Sequence, residues 1–248
     1  MIEKLSRTVD QAVNPEVNTV PLSIIVPTLN EQQTIDNCLS HLQSMRDLGV
    51  EVIISDGGST DRTLELAKPF VDELVCSEPG RARQMNAGAA VAHGKHLLFL
   101  HADTKLPSDF SLASLDEGPL GPQLYKPQWG FFLVKLSGSA WPFRVIETAM
   151  NLRSKITRIG TGDQAMFIQS ELFHHIGGFA DIPLMEDVEF CRRLKTVCRP
   201  TLAKGFVVTS SRRWEQQGIC RTVLQMWRLR LAYFLGASPH NLVQQYYL

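Results

Sequence analysis

The sequence predicts an α/β fold built on a mostly parallel sheet with helices on both faces. Short apolar runs alternate with helix-length segments over the first hundred residues, a pattern typical of strands joined by helical crossovers. Polar clusters follow three of these apolar runs, at Asn30–Glu31, Asp56 and His101–Asp103. Because parallel strands present their carboxyl ends at one edge, these residues should meet where α/β proteins bind ligands.

The expected elements of the first half follow from periodicity and breakers. Residues 1–20 are polar and aperiodic, and we interpret them as a loose leader. Buried strands are expected where short apolar runs end at turn residues, at Pro21–Pro27, Val50–Ser55, Glu73–Cys76 and His96–Leu100. Helices are expected where apolar residues recur at helical spacing, at Thr34–Arg46, Thr63–Phe70 and Arg81–His93.

After residue 106 this regular alternation ends. The Pro- and Gly-rich segment Gly118–Pro127 predicts a loop. The strands expected beyond it are Trp129–Leu136, Met166–Ile168 and Phe206–Ser210, and the helices are Trp141–Ile156, Val188–Leu194 and Ile219–Leu235.

Composition excludes several classes of protein. Of the 248 residues 44% are hydrophobic, enough for a full core. The 25 basic residues balance 25 acidic ones, so we expect no nucleic-acid partner. The five cysteines form no C-x-x-C pair, which argues against structural zinc and a disulfide scaffold. With no signal peptide and no transmembrane run visible, the sequence predicts a cytoplasmic protein.

Two clusters contain carboxylates that could bind a metal ion or take part in proton transfer. His101 and Asp103 follow a predicted strand, and alternation lets both side chains point the same way. Imidazole and carboxylate can both ligate a divalent cation, and oxygen ligands suit Mg²⁺ or Mn²⁺; a capping aspartate in a surface loop is the alternative. Glu186 and Asp187 begin a predicted helix. They could divide the work of proton removal and hydroxyl binding, or serve only the helix dipole.

Two basic segments suit phosphate. The helix that begins at Arg81 has two arginines, Arg81 and Arg83, and Asn86 near its N-terminus. Guanidinium groups with free N–H groups form a good diphosphate site; a solvated helical face is the alternative. Arg212 and Arg213 stand beside Trp214, which suits either phosphate contact or cation–π packing.

In this order, the motifs resemble those of the family 2 glycosyltransferases of the GT-A fold. The likeness covers roughly residues 22–214, and within the family it is similar to a compact bacterial branch, the radical-SAM/selenodomain-associated transferases. The motifs are SIIVPTLNE (Ser23–Glu31), EVIISDGGSTDRT (Glu51–Thr63), GRARQMNAGA (Gly80–Ala89), LLFLHADT (Leu97–Thr104), GDQAMFI (Gly162–Ile168), GGF (Gly177–Phe179) and MEDVEFCRRLK (Met185–Lys195).

The resemblance implies a nucleotide-sugar donor, with UDP favoured, a hydroxyl acceptor, and Mg²⁺ or Mn²⁺. It implies a nucleotide-binding half at 21–106, an acceptor half at 107–217 and a C-terminal helical tail at 218–248. The nucleotide would be bound by Pro27, Asn30, Glu31, Asp56, Arg83, Asn86, His101 and Ala102. The metal would be held by Asp103, the sugars would be lined by Gly162, Asp163 and Gln164, and Asp187 would be the general base, with Glu186 beside it.

Two positions depart from the family pattern. Gly57 stands where the family usually has a second aspartate, and His101 stands at the first position of its D-x-D motif. These departures leave open a nucleotide-sugar-binding protein that has lost turnover. A sugar-1-phosphate nucleotidyltransferase is a weaker alternative, because the first strand is not followed by a Gly-rich phosphate loop.

The tail predicts a helix that is apolar all round, interspersed with Arg221, Arg228 and Arg230. Such a helix packs within protein more often than it lies on a membrane surface. We therefore expect the tail to pack on its own domain, with a homodimer contact, and peripheral membrane contact is the alternative.

Overall fold

The computed structural model describes residues 20–112, 115 and 128–246. Its strands are β1 (Leu22–Thr28), β2 (Glu51–Asp56), β3 (Glu73–Cys76), β4 (His96–Phe99), β5 (Thr104–Lys105), β6 (Trp129–Leu136), β7 (Met166–Gln169) and β8 (Thr201–Thr209). Its α-helices are α1 (Ile35–Arg46), α2 (Thr63–Ala67), α3 (Arg81–Val91), α4 (Trp141–Thr157), α5 (Ser170–His175), α6 (Glu186–Val197), α7 (Arg212–Gln217), α8 (Ile219–Phe234) and α9 (Pro239–Tyr246). The expected leader up to residue 19 and the expected loop Gly118–Pro127 lie outside the described residues.

The described strands form one sheet in the order β3–β2–β1–β4–β7–β6–β8–β5. Strands β1 to β4 pair in parallel, and the register sets Thr28 beside Asp56. Strand β7 runs antiparallel to both β4 and β6, while β6 and β8 are parallel and β5 is antiparallel to β8. The predicted mixed α/β fold with a mostly parallel sheet is confirmed.

The central strands are buried on both faces. In β1, Ile24 packs into the cluster on the α1 side, and Ile25 packs into the cluster with α3, α5 and α6. Helix α3 lies so close to β1 that a Cβ on Gly88 would be 2.5 Å from Ile25 Cγ2. This burial explains the continuous apolar runs, because a strand covered on both faces needs no polar side.

Strand β8 begins at Thr201, earlier than the expected Phe206. Lys204 and Gly205 interrupt the apolar pattern, and Gly205 has a left-handed backbone (φ 85°). The pairing of β8 with β6 shifts register here, between Phe131 and Leu133. Extra residues in an irregular strand interrupt its two-residue period. The sequence therefore predicted only the regular second half of β8.

The tail packs on its own domain, as predicted. Leu229 of α8 and Leu242 of α9 are almost fully buried and form a cluster with Met185, the residue before α6. Its predicted homodimer contact stays a prediction. Among the described helices, none combines the length and the apolar character needed to cross a bilayer.

Candidate functional site

The loops that follow β1 and β2 are joined by hydrogen bonds at the carboxyl edge of the sheet. The Asn30 N–H donates to Ser59 Oγ (2.8 Å), and the Thr60 N–H donates to Asn30 Oδ1 (2.9 Å). The Glu31 N–H donates to Thr63 Oγ1 (2.8 Å). Asn30 has a left-handed backbone (φ 56°), which asparagine tolerates better than most residues. Of the polar residues predicted to meet at one edge, those that follow β1 and β2 are thus joined.

Asp56 ends β2 and organises the turn after it. Its Oδ1 accepts hydrogen bonds from Thr28 Oγ1 (2.9 Å) and Ser59 Oγ (2.6 Å). Its Oδ2 accepts from the N–H groups of Gly58 (2.8 Å) and Ser59 (2.7 Å). A carboxylate offers about four acceptor sites, and this one is fully buried. In this structure the turn and Thr28 occupy the carboxylate, and the predicted contact between Asp56 and a base stays a prediction.

Gln84 of α3 fills the space beside Gly57. Its Nε2 donates to the carbonyl oxygens of Thr28 (2.6 Å) and Ser55 (3.1 Å), and the half-buried Pro27 lies beside Ser55 in the strand register. A Cβ on Gly57 would lie 3.0 Å from Gln84 Cδ. The glycine that replaces the family's second aspartate is therefore matched to this glutamine.

His101 lies against the turn at Gly162–Gln164. Its Nδ1 is 3.4 Å from Asp163 Oδ1, and a Cβ on Gly162 would lie 2.4 Å from its Cε1. Desolvation raises the pKa of Asp163, but the hydrogen bond and charge of His101 outweigh it and hold that pKa below its usual value. Ala102, the next residue, is buried in the core. The imidazole of His101 thus fits here because residue 162 has no Cβ.

Gln164 supports this turn from beneath. Its Oε1 accepts from Ser154 Oγ (2.8 Å) and from the Thr161 N–H (3.1 Å), and its Nε2 donates to the Phe132 carbonyl (3.0 Å). The side chain is fully buried. In this structure Gln164 holds the turn through Thr161, and its predicted contact with a sugar stays a prediction.

Asp103 has a half-buried carboxylate that suits a divalent cation. Burial, with the charges of Asp103 and Glu31, raises the pKa of the Cys38 thiol to about 12, which places both carboxylates near one point of α1. In the ranges that the structure describes, no three His, Cys, Asp or Glu side chains converge on a metal position. Mg²⁺ usually binds through one or two carboxylates together with the phosphates of its substrate, so Asp103 fits such an ion.

Two adjacent carboxylates begin α6. Asp187 Oδ2 accepts from the Gly162 N–H (3.0 Å), and its Oδ1 accepts from the Val188 N–H (2.7 Å). Burial, followed by the charge of Asp187, raises the pKa of Glu186 to about 7. Burial also raises the pKa of Asp187, although its two backbone donors oppose the shift. Carboxylates of this kind can exchange protons near neutral pH.

Arg81, one of the two arginines of the predicted diphosphate segment, is the first residue of α3. Desolvation would lower its pKa, but the charges of Tyr246, Glu186 and Asp163 raise it above its usual value. The guanidinium is thus a permanent cation among the site carboxylates. Its signal in the sequence was its place in the first helical turn, two residues before Arg83.

Arg83 and Asn86 are engaged by the loop that leads to α6. Arg83 Nε donates to Asp181 Oδ1 (2.8 Å) at the surface. Asn86 Nδ2 donates to the Phe179 carbonyl (2.9 Å), and its Oδ1 accepts from the Phe179 N–H (2.9 Å). In this structure both side chains hold the loop, and the predicted contacts with a diphosphate or ribose stay a prediction.

The predicted phosphate group at α7 divides into two parts. Arg212 Nη2 lies 3.9 Å from Glu31 Oε2, and Arg213 stacks 4.0 Å from the ring centroid of Tyr246 while also donating to its hydroxyl. Trp214 packs elsewhere, in an apolar cluster formed with Leu136, Phe143, Ile146, Met150, Ile219 and Val223. The structure thus places Arg212 near Glu31 and Arg213 on Tyr246 of the tail, and it gives the indole a packing role.

A family model described as glycosyl transferase family 2 matches residues 23–170. The chain belongs to this family. Over 98 residues this family 2 glycosyltransferase is 37% identical to the PGL/p-HBAD biosynthesis glycosyltransferase of Mycobacterium bovis, which covers 37% of the chain and 38% of that relative. Over 191 residues it is 29% identical to the uncharacterized glycosyltransferase Rv1514c of Mycobacterium tuberculosis, which covers 72% of the chain and 70% of that relative.

Solved structures show the same GT-A fold at low identity. TarS of S. aureus in complex with UDP has a TM-score of 0.62 at 19% identity, covering 77% of this chain and 60% of that one. The mannosyltransferase PcManGT from Pyrobaculum calidifontis, in complex with GDP-Man and Mn²⁺, has a TM-score of 0.60 at 23% identity, covering 85% and 60%. The match therefore spans well under two thirds of the M. bovis relative and of TarS. The narrower resemblance to the radical-SAM/selenodomain-associated branch stays a prediction.

Proposed function

We propose that this chain transfers a sugar from a nucleotide-diphosphate sugar to an acceptor hydroxyl in a single inverting displacement. The adjacent carboxylates of buried Glu186 and half-buried Asp187 support the proposal most strongly. Burial raises the pKa of both carboxyls, and the Gly162 N–H fixes the orientation of Asp187. A positioned carboxylate with such a pKa is a suitable general base.

The proposed reaction assigns a role to each charged group. Asp187 takes the proton of the acceptor hydroxyl while its oxygen bonds to the anomeric carbon, and the bond from that carbon to the diphosphate breaks. Glu186 holds the acceptor hydroxyl beside Asp187. Arg81, with Arg212 and Arg213, offsets the charge that develops on the leaving diphosphate.

Asp103 is the residue that would hold Mg²⁺ or Mn²⁺. When bound, such an ion supplies further neutralisation of the diphosphate charge. The PcManGT complex with GDP-Man and Mn²⁺ supports this proposal by similarity. We favour UDP as the donor nucleotide, supported by the TarS complex with UDP, and GDP belongs in the same test.

The first experiment replaces the proposed base. Asp187→Asn keeps the shape of the side chain but removes its basicity, so kcat should fall by about 10²–10⁴. Asp47→Asn makes the same chemical change at an exposed position after α1 and should leave kcat unchanged. Turnover of Asp187→Asn near that of the wild type, with a matched donor and acceptor, would refute the assignment of the base.

The second candidate is a nucleotide-sugar-binding protein that has lost turnover, and His101 and Gly57 are the observations that favour it. Each, however, has a matched neighbour, Gly162 and Gln84 respectively, which supports a site adapted to these residues. Metal-dependent release of a free nucleotide diphosphate that disappears in Asp103→Ala would exclude the binding protein. Pyrophosphate released from a nucleoside triphosphate and a sugar 1-phosphate would instead indicate a nucleotidyltransferase.

A further inference from the structure

Helix α8 is apolar on two opposite sides, and only one side is covered. On the inner side, Leu229 and Thr222 are almost fully buried, and Tyr233 packs beside Leu229 in the cluster with Met185. The opposite side, which we name the outer face, is between 60% and 80% exposed and consists of Leu224, Trp227, Leu231, Phe234 and Leu235. The all-round apolar pattern of α8 therefore consists of two stripes, one packed on the domain and one exposed.

The charged side chains of α8 all have one sign. Arg221, Arg228 and Arg230 lie on α8, and residues 216–246 contain no aspartate or glutamate. The chain as a whole has a formal net charge of zero, so this segment concentrates positive charge. Arg228 Nη2 donates to Gln245 Oε1 (2.9 Å) at the exposed surface, and this acceptor carries no charge.

We propose that the outer face of α8 docks onto an anionic lipid bilayer. An interfacial helix of this kind inserts its Trp, Phe and Leu side chains into the boundary region while its arginines meet the lipid phosphates. A second copy of the chain fits less well. A two-fold contact presents the same patch on both partners, so it would bring Arg228 and Arg230 of one copy towards those of the other, and α8 contains no aspartate or glutamate.

Docking in this way has a consequence for the site. The inner side of α8 packs on Met185, which directly precedes Glu186. A bilayer under α8 would therefore lie one helix away from the carboxylate pair. The inference rests on the faces of α8 and holds whatever reaction the site performs.

The test is flotation of the full chain with lipid vesicles at physiological salt. It should float with phosphatidylcholine vesicles that contain phosphatidylglycerol, stay unbound with pure phosphatidylcholine, and be released at high salt, which screens surface charge. The double variant Trp227→Ser/Phe234→Ser should bind at least tenfold more weakly. Arg228→Gln should bind about fivefold more weakly, as expected for about 1 kcal/mol per cation at an anionic surface.

The matched control is Leu48→Ser/Val197→Ser, which removes exposed apolar side chains outside α8. It should float like the wild type, and all variants should keep the wild-type melting temperature, because the substituted residues are exposed. Failure of the wild type to float, or equal flotation with neutral vesicles, would overturn the proposal. A dimer in light scattering that becomes monomeric in Trp227→Ser/Phe234→Ser, without vesicle binding, would show that a second copy covers the outer face.

Discussion

At the scale of single residues, each of the two departures from the family pattern, His101 and Gly57, contacts a partner residue that fits it. His101 is admitted by Gly162, and Gly57 is matched to Gln84, in both cases because a Cβ on the glycine would meet the partner side chain. Neither pair is visible as a pair in the sequence, because its members stand far apart along the chain. Contact between the two members, however, makes their energetic coupling measurable.

Gly162→Ala should destabilise the fold through His101. The added Cβ would lie 2.4 Å from the imidazole, and Gly162 is not among the residues with a left-handed backbone, so the cause is steric. Overpacking of this kind costs about 1–3 kcal/mol, measured as the free energy of unfolding in denaturant. In the His101→Ala background, where the imidazole is absent, adding Gly162→Ala should cost much less unfolding free energy than it does in the wild type. Additive effects of the two substitutions would show that the contact is unimportant.

The raised pKa of Glu186 predicts how stability depends on pH. The folded state keeps the proton of Glu186 up to about pH 7, whereas the unfolded chain loses it near pH 4.5. The folded state therefore binds more protons within this window, and stability falls as pH rises through it. Glu186→Gln removes that dependence, so its melting temperature relative to the wild type should rise between pH 4.5 and 7 and then level off.

The matched control for this pH series is Glu171→Gln, the same change at an exposed position of α5. Its melting temperature relative to the wild type should show no comparable rise. A constant difference between Glu186→Gln and the wild type across the window would contradict the assignment of a buried, proton-retaining Glu186.

At the scale of elements, the long apolar runs predicted the fold well, whereas the short helices were not predicted. Strands β1 to β4 and helices α1, α3, α4 and α8 were expected close to their observed bounds, because burial on a sheet or along a helix leaves a clear period. Helices α5, α7 and α9 have only six to eight residues each. A helix this short completes about two turns, which is too little for a period to emerge.

The sequence indicated which edge of the sheet carries the site, and it did not indicate which polar residues remain accessible there. The side chains of Asp56 and Gln164 are hydrogen-bonded within the protein, and Arg83 is held by Asp181, which is distant in sequence. The bonds of Asp56 to Gly58 and Ser59 are local, whereas those of Gln164 and Arg83 depend on tertiary neighbours. The sequence placed Arg81 in the predicted diphosphate segment, but it did not indicate the carboxylates of other elements that raise the pKa of Arg81.

Helix α8 offers a prediction that separates its two sides. Leu229→Ala removes an almost fully buried side chain from the cluster with Met185 and should cost about 2–5 kcal/mol of unfolding free energy. Because Met185 precedes Glu186, turnover should fall as well. Leu231→Ala, two residues on, lies on the exposed outer face and should leave both quantities in solution unchanged. Equal losses for the two variants would contradict the observed orientation of α8.

At the scale of the whole molecule, the candidate site joins the two halves of the sheet. Asp103 follows β4 in the parallel half, whereas Gly162 precedes β7 and Asp187 begins α6 in the other half. The halves meet where β4 pairs antiparallel with β7. A ligand that contacts both Asp103 and the groups around Gly162 therefore stabilises the native state as a whole, since it has no such pair of contacts in the unfolded chain.

This linkage predicts the response of the melting temperature to nucleotide and metal. UDP with Mn²⁺, present at about one hundred times its dissociation constant, should add about 2.7 kcal/mol of stability, while either component alone should add less because Asp103 and the diphosphate would share the ion. In Asp103→Asn the effect of adding Mn²⁺ to UDP should vanish. Asp109→Asn, a nearby aspartate in the chain, is the control and should respond like the wild type. A larger shift with GDP than with UDP would reverse our preference for the donor nucleotide, and a shift with UDP that ignores metal in the wild type would remove Asp103 from the role of metal ligand.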